Sequence, residues 1–175
     1  MKKISLESIK ELRNMTLASV ANCKSALEEA GGDLKKAAEL IRKRGLEIAE
    51  KKGGKLTREG RIEAYVHLGN KIGVLLEVNC ETDFVARNAE FCQFTKDLAM
   101  QITALNPTYI KKEEVPDEVI EGEKDKELYY KTHCLLEQTF VKDSSITIKD
   151  YLGNLLAKFS EKIEIRRFIR YKIGE

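Results

Sequence analysis

The chain has 175 residues, 42% hydrophobic and 34% charged, with a formal net charge of +2. That is enough apolar chain to bury a core in one or two domains and excludes intrinsic disorder, while so small a net charge gives no ground by itself for nucleic-acid binding. No apolar run approaches the roughly 20 residues of a membrane span, and MKKISLESIKELRN has no apolar stretch behind its lysines, so neither a membrane protein nor a secretory leader is expected.

The N-terminal third reads as short helices. Leu6, Ile9 and Leu12 give one amphipathic set. Thr16 or Ser19 is a candidate cap for a second helix, with Val20, Cys23, Leu27 and Ala30 on its face and Gly31-Gly32 as its stop. Asp33 can cap a third helix bearing Leu34, Ala37, Ala38 and Ile41, with Gly45 as the next stop. Residues 51–60 are charged and glycine-containing and read as a linker, which divides the chain into a helical domain (1–50) and a core domain (61–175).

From Arg61 the apolar period changes to two. Ile62, Ala64, Val66 and Leu68 are expected on the buried face, with Glu63, Tyr65 and His67 outside. Gly69-Asn70 is a hairpin turn pair, and Ile72, Val74, Leu76, Val78 and Cys80 form the return strand's inner face. Then comes ETDFVARN (81–88). Asn88 can cap the next helix, whose face is Phe91, Phe94, Leu98, Ile102 and Leu105. Pro107 and Pro116 bracket a connection, and the charged stretch 117–138, interrupted by Gly122, is one or two helices docked through Val119, Tyr130, Cys134 and Leu135. Thr147 and Asp150 make a capping-box-like start for a helix with Ile148, Tyr151, Leu152, Leu155 and Phe159 on one face. The alternating IEIRRFIRYKI (163–173) supplies a third strand. The expected fold is α+β: a three-helix domain, then a small antiparallel sheet with helices on its inner face. Its outer face would carry Tyr65, Leu75 and Phe168, a surface for self-association.

The search for catalytic chemistry returns nothing specific. No phosphate loop, GxSxG or HExxH is present. The four cysteines form no CxxC pair and the two histidines have no metal-ligand spacing, so no metal and no cofactor are expected and the thiols read as free and mostly buried in a reducing compartment. His133 and Cys134 are adjacent, but helix neighbours point about 100° apart, a poor nucleophile–base geometry. Binding remains, and periodicity alone puts Phe84 in the core, as for most aromatics.

Several stretches are similar to a known family. KELRNMT (10–16), NCKSALEEAGGDLKKAAELIRKRG (22–45), GVLLEVNCETDFVARN (73–88) and IRRFIRYKIGE (165–175) resemble, in order, the bacterial and organellar elongation factor Ts family. The resemblance implies a cytoplasmic, non-enzymatic guanine-nucleotide exchange factor for elongation factor Tu, with a ubiquitin-associated-like helical domain. It implies that Thr82, Asp83, Phe84 and Val85 form the loop that enters the GTPase near its magnesium site, so that Phe84 is exposed, and that Leu12, Arg13 and Val20 belong to the docking surface. LASVANC (17–23) departs from the family's usual Gly-rich, Met-containing stretch, with Val20 in place of a methionine. With a single sheet and no internal repeat, the chain looks like the family's short form, whose members pair as homodimers. The competing reading from another class is an RNA- or ribosome-binding module using Lys51, Lys52, Lys55, Arg166, Arg167 and Arg170; the implied partners otherwise include no nucleic acid and no membrane.

Overall fold

The computed structural model describes residues 4–52 and 54–175, with Ala49 and Glu50 by their backbone alone; residues 1–3 and Gly53, the latter in the expected linker, lie outside the described residues. The chain forms two compact units, Met1–Leu56 with Asp150–Ile163, and Thr57–Lys149 with Glu164–Glu175. The linear division into 1–50, 51–60 and 61–175 does not contain this return of residues 150–163 to the helical unit.

In the first unit, α1 (Leu6–Thr16) starts at Ser5, whose hydroxyl accepts from the Ser8 amide, and α2 (Val20–Glu29) starts at Ser19, which accepts from the Asn22 amide at 3.2 Å. Thr16 is not a cap: it ends α1, donating its hydroxyl to the Leu12 carbonyl at 2.8 Å. α3 (Leu34–Lys51) starts with the Asp33 carboxylate accepting from the Lys36 amide at 3.1 Å. Ile9, Leu12, Cys23, Ala26, Leu27, Ala37, Ala38 and Ile41 share one core, and Ala157 of α8 (Ile148–Phe159) belongs to it. The amphipathic pattern of α8 suggests a helix covering the sheet. It is buried on more than one face, from Leu152 through Ala157 without interruption, so it has neighbours on more than one side.

Gly45 does not stop α3; it lies buried inside it. A methyl group there would be driven into the carbonyl oxygen of Gly153 and sit 2.9 Å from the Ala157 amide nitrogen. A glycine at Gly153 and another at Gly45 let the two backbones touch, which explains a residue that costs about 1 kcal/mol in a helix interior.

The second unit is a three-stranded sheet in the order β1 (Glu59–Val66), β2 (Ile72–Cys80), β5 (Ile163–Lys172), most of β5 lying in this unit. β1 and β2 are antiparallel, from Glu59 opposite Cys80 to Val66 opposite Gly73. The turn uses left-handed backbone at Gly69 (φ 89°) and Asn70 (φ 56°), as the residue pair suggests. Val74, Leu76, Val78 and Cys80 are buried as expected. β1 is the reverse of the expectation: Ile62 and Val66 are 65% and 62% exposed, while Glu63 is 8% exposed. Tyr65, expected outside, shares the face of Glu63 and is half-buried, as is Phe168. Alternation fixes which residues share a face, not which face turns inward. Here Glu63 goes in because Arg61 Nε donates to it at 2.8 Å and the Thr95 hydroxyl at 3.1 Å, satisfying the buried carboxylate.

α5 (Ala89–Leu105) packs Phe91, Phe94, Leu98 and Ile102 fully buried; Leu105, expected with them, is exposed. Its polar side organises residues 139–147. Asp97 meets Lys142 at 2.6 Å, and Gln101 donates to the Thr139 carbonyl and accepts from the Val141 amide. These contacts hold a small hairpin, β3 (Thr139–Phe140) with β4 (Asp143–Thr147). Between α5 and this hairpin, α6 (Asp117–Glu121), ended by Gly122, and α7 (Lys126–His133) close a minor core of Val115, Ile120 and Cys134 under Tyr109, Tyr129 and Tyr130; Val119 stays exposed. No described helix is long and apolar enough to cross a membrane.

Candidate functional site

Directly after β2 the chain makes a four-residue helical turn, α4 (Asp83–Ala86). Thr82 is its cap, the hydroxyl accepting from the Val85 amide at 3.4 Å. Asp83 opens the turn and Arg87 closes over it at 3.3 Å, an exposed pair that contributes under about 1 kcal/mol. Val85 points inward and is 2% exposed; its neighbour Phe84 is 77% exposed. Asp83, Phe84, Arg87 and Asn88 line a shallow depression. The apolar pair therefore divides its roles: Val85 anchors, Phe84 projects. Periodicity places Phe84 in the core, and the structure corrects it. A short helical turn sends consecutive side chains to different sides, and Val85 takes the inward one.

Two thiols meet this turn. Cys80 Sγ donates to the Thr82 carbonyl at 3.1 Å, and Cys92 Sγ donates to the Ala86 carbonyl at 3.6 Å. Arg61 reaches Cys92 Sγ at 3.5 Å while its Nε holds Glu63. The hydrogen bond to Glu63 keeps the Arg61 guanidinium even more firmly protonated than usual. Nothing in the sequence singles out Arg61, Glu63 and Cys92 together, because they come from β1 and α5, which only the fold brings into contact.

The second candidate surface lies in the helical unit, around the turn joining α1 and α2. Leu17 takes left-handed backbone (φ 58°) and caps α1, its amide donating to the Arg13 carbonyl at 2.8 Å. Met15, Leu17 and Val20 are exposed here, with Arg13 beside them. Leu12, expected among the docking residues, is fully buried and supports this surface from beneath. Met15 and Leu17 are additions to the expected set; two apolar residues flanking a helix end are a readable signal for them. Cys23 below is an inert thiol: burial pushes it up, outweighing the Thr16 hydroxyl and the Arg13 charge.

Among the described residues no three His, Cys, Asp or Glu side chains are grouped to hold a metal ion. The family model for elongation factor TS matches residues 2–129 and 125–175. The chain belongs to the elongation factor Ts family. It is 48% identical over 194 residues to elongation factor Ts of Thermotoga petrophila, covering 99% of this chain and 98% of that one. It is 46% identical over 195 residues to that of Carboxydothermus hydrogenoformans, covering 98% and 90%, and 47% identical over 195 residues to that of Caldanaerobacter subterraneus, covering 98% of each. Membership places this chain in a translation elongation factor family, and its fold is the α+β arrangement expected of one.

Proposed function

We propose that the protein is a guanine-nucleotide exchange factor: it binds elongation factor Tu carrying GDP, in the cytoplasm, and speeds release of the nucleotide without breaking a covalent bond. The observation that carries this is Phe84, a large aromatic 77% exposed on a turn held by a capped start and a buried Val85. An exposed aromatic on a rigid support loses little conformational entropy when it enters a partner's pocket. Asp83 beside it brings a carboxylate to the same edge, held in the free protein by Arg87 at 3.3 Å. In a site where GDP and Mg²⁺ are held by oriented amides and a strict octahedral shell, a wedge and a charge at the rim weaken those contacts. Release follows from linkage: a protein that binds nucleotide-free Tu more tightly than Tu·GDP lowers GDP affinity by the same factor. Arg13, Met15, Leu17 and Val20 supply a separate docking surface, whose role is affinity.

We also assign the outer face of the sheet to pairing with a second copy. Ile62, Val66, Leu75, Ile169 and Tyr171 are all exposed there. A two-fold axis makes such a patch self-complementary.

An RNA-binding role finds less support. On β5, Arg167 pairs with Glu77 at 2.7 Å, and Arg170 and Lys172 pair with Glu175 at 2.9 and 2.7 Å, so much of that basic strand is already neutralised. The test is the release of a fluorescent GDP analogue from Tu with rising amounts of the protein. Saturable acceleration that tolerates moderate salt is expected. No acceleration, together with RNA affinity that falls steeply with salt, contradicts the proposal.

A further inference from the structure

We infer that Cys92 and Arg61 are positioning residues for the exchange turn: a carboxylate–guanidinium–thiol–carbonyl chain from Glu63 to Ala86 sets the direction in which Phe84 projects. The inference rests on the exchange-factor reading above. The chain has four connected members. Glu63, 8% exposed, is fixed inside the sheet by Thr95 at 3.1 Å and Arg61 at 2.8 Å. The fork of Arg61 then reaches Cys92 Sγ at 3.5 Å, and the Cys92 thiol donates to the Ala86 carbonyl at 3.6 Å. That carbonyl lies at the C-terminal end of α4, where a helix leaves its last carbonyls without intrahelical donors.

A four-residue helix has no cooperative stability of its own, so its orientation is set by what grips its ends. Cys80 grips the start through the Thr82 carbonyl and Val85 fills the space beneath. Beside the Cys92 contact, the far end is held by local backbone bonds such as that from the Asn88 amide to the Val85 carbonyl, at 3.0 Å. A thiol is a weak donor alone; a guanidinium on its sulfur polarises the S–H bond and strengthens what it donates. The arrangement thus couples the rigid sheet to the turn that carries Phe84 through Arg61 and Cys92 in series, and Cys92 is only half-buried where Cys80 is buried.

The test compares wild type, Cys92→Ala, Cys92→Ser and Arg61→Lys in the GDP-release assay. Arg61→Lys keeps a charge beside Glu63 but cannot bridge both partners. Cys92→Ala is expected to lower the maximal stimulated rate by on the order of ten-fold, less than the roughly hundred-fold that a full 1 Å misplacement can cost. The half-saturating concentration should stay within about two-fold, since misplacing a group that acts only in the release step lowers the maximal rate and leaves binding intact. Amide exchange at Val85, Ala86 and Arg87 in the free protein should quicken. Cys92→Ser, which still donates, should retain most of the rate. Arg61→Lys should slow release in wild type and have no further effect on top of Cys92→Ala. A wild-type rate for Cys92→Ala overturns the inference, as does a loss shared equally by Cys92→Ser and matched by a lower folded fraction on melting. If the wild type itself fails to stimulate release, the exchange reading falls and this one with it; wild-type stimulation with unaffected variants removes this one alone.

Discussion

Cys134 shows how little a residue's sequence neighbours reveal before its environment is known. Its adjacency to His133 is only a weak cue to a nucleophile and base, since helix neighbours point apart. In the fold His133 Nδ1 donates instead to the Tyr129 carbonyl at 3.1 Å, and its ring stacks on Tyr129 at 4.1 Å. The Cys134 thiol is pushed up to about 11, first by burial and then by Glu137 and Glu114. A neutral thiol is a poor nucleophile. N-ethylmaleimide in mildly alkaline buffer should therefore label Cys92 first and leave Cys134 unmodified in the native protein; rapid labelling of Cys134 would contradict this. The folded thiol ionises later than the unfolded one, so its contribution to stability is fully present below the ordinary value of 9.0 and is lost as pH rises towards about 11. Urea midpoints measured across that window should fall more steeply for wild type than for Cys134→Val. Local signals are otherwise legible at this scale. Ser19, Asp33 and Asn88 cap the helices they precede because a cap depends on three or four adjacent residues. Thr16 misleads because a threonine at a helix end can equally bond back to the turn behind it.

At the scale of elements, most helices and strands are legible in the sequence, and what they face is not. The inner face of β2 can be read because every second residue is apolar over nine positions. β1 carries the same alternation, but its polar set includes an Arg61–Glu63 pair that burial can satisfy, and that pair turns inward. No periodicity contains the information that Thr95 stands opposite. Gly45 reads as a stop and is a contact, a difference visible only once α8 lies against α3. Gly45→Ala tests it. On an open helix the change stabilises by about 1 kcal/mol; here the methyl meets backbone at Gly153 and Ala157, and overpacking typically costs about 1–3 kcal/mol. Urea unfolding should show net destabilisation. Gly122→Ala, whose added methyl would lie at an ordinary 3.7 Å from the Val119 carbonyl, should be neutral or slightly stabilising. If the two variants behave alike, the close approach of α3 and α8 is wrong. The same contact implies that a chain beginning at Thr57 would strip Gly153 and Ala157, on α8, of the helices they pack against.

For the whole molecule, the inverted β1 gives the outer face of the sheet more apolar surface than the sequence suggests. Ile62 and Val66 join Leu75 there, and a groove lined by Ile62, Leu75, Glu77, Arg167 and Ile169 crosses it. Light scattering at micromolar concentration should give twice the chain mass, and Ile62→Glu should reduce it to the monomer by putting a charge into the apolar patch, which a self-complementary interface would bury in both copies. A monomeric wild type would rule out the pairing. The functional assignment depends on a different residue. A buried Phe cut to Ala costs about 3–5 kcal/mol, whereas a change at an exposed position usually falls within about 0.5 kcal/mol, and Phe84 is 77% exposed. The decisive variant is therefore Phe84→Ala, with urea stability and stimulated GDP release measured on the same preparation. Wild-type stability, retained binding to Tu and a large fall in the maximal release rate are expected. A variant that unfolds several kcal/mol earlier, while its folded fraction releases GDP at the full rate, would show that Phe84 belongs to the core and not to the exchange reaction.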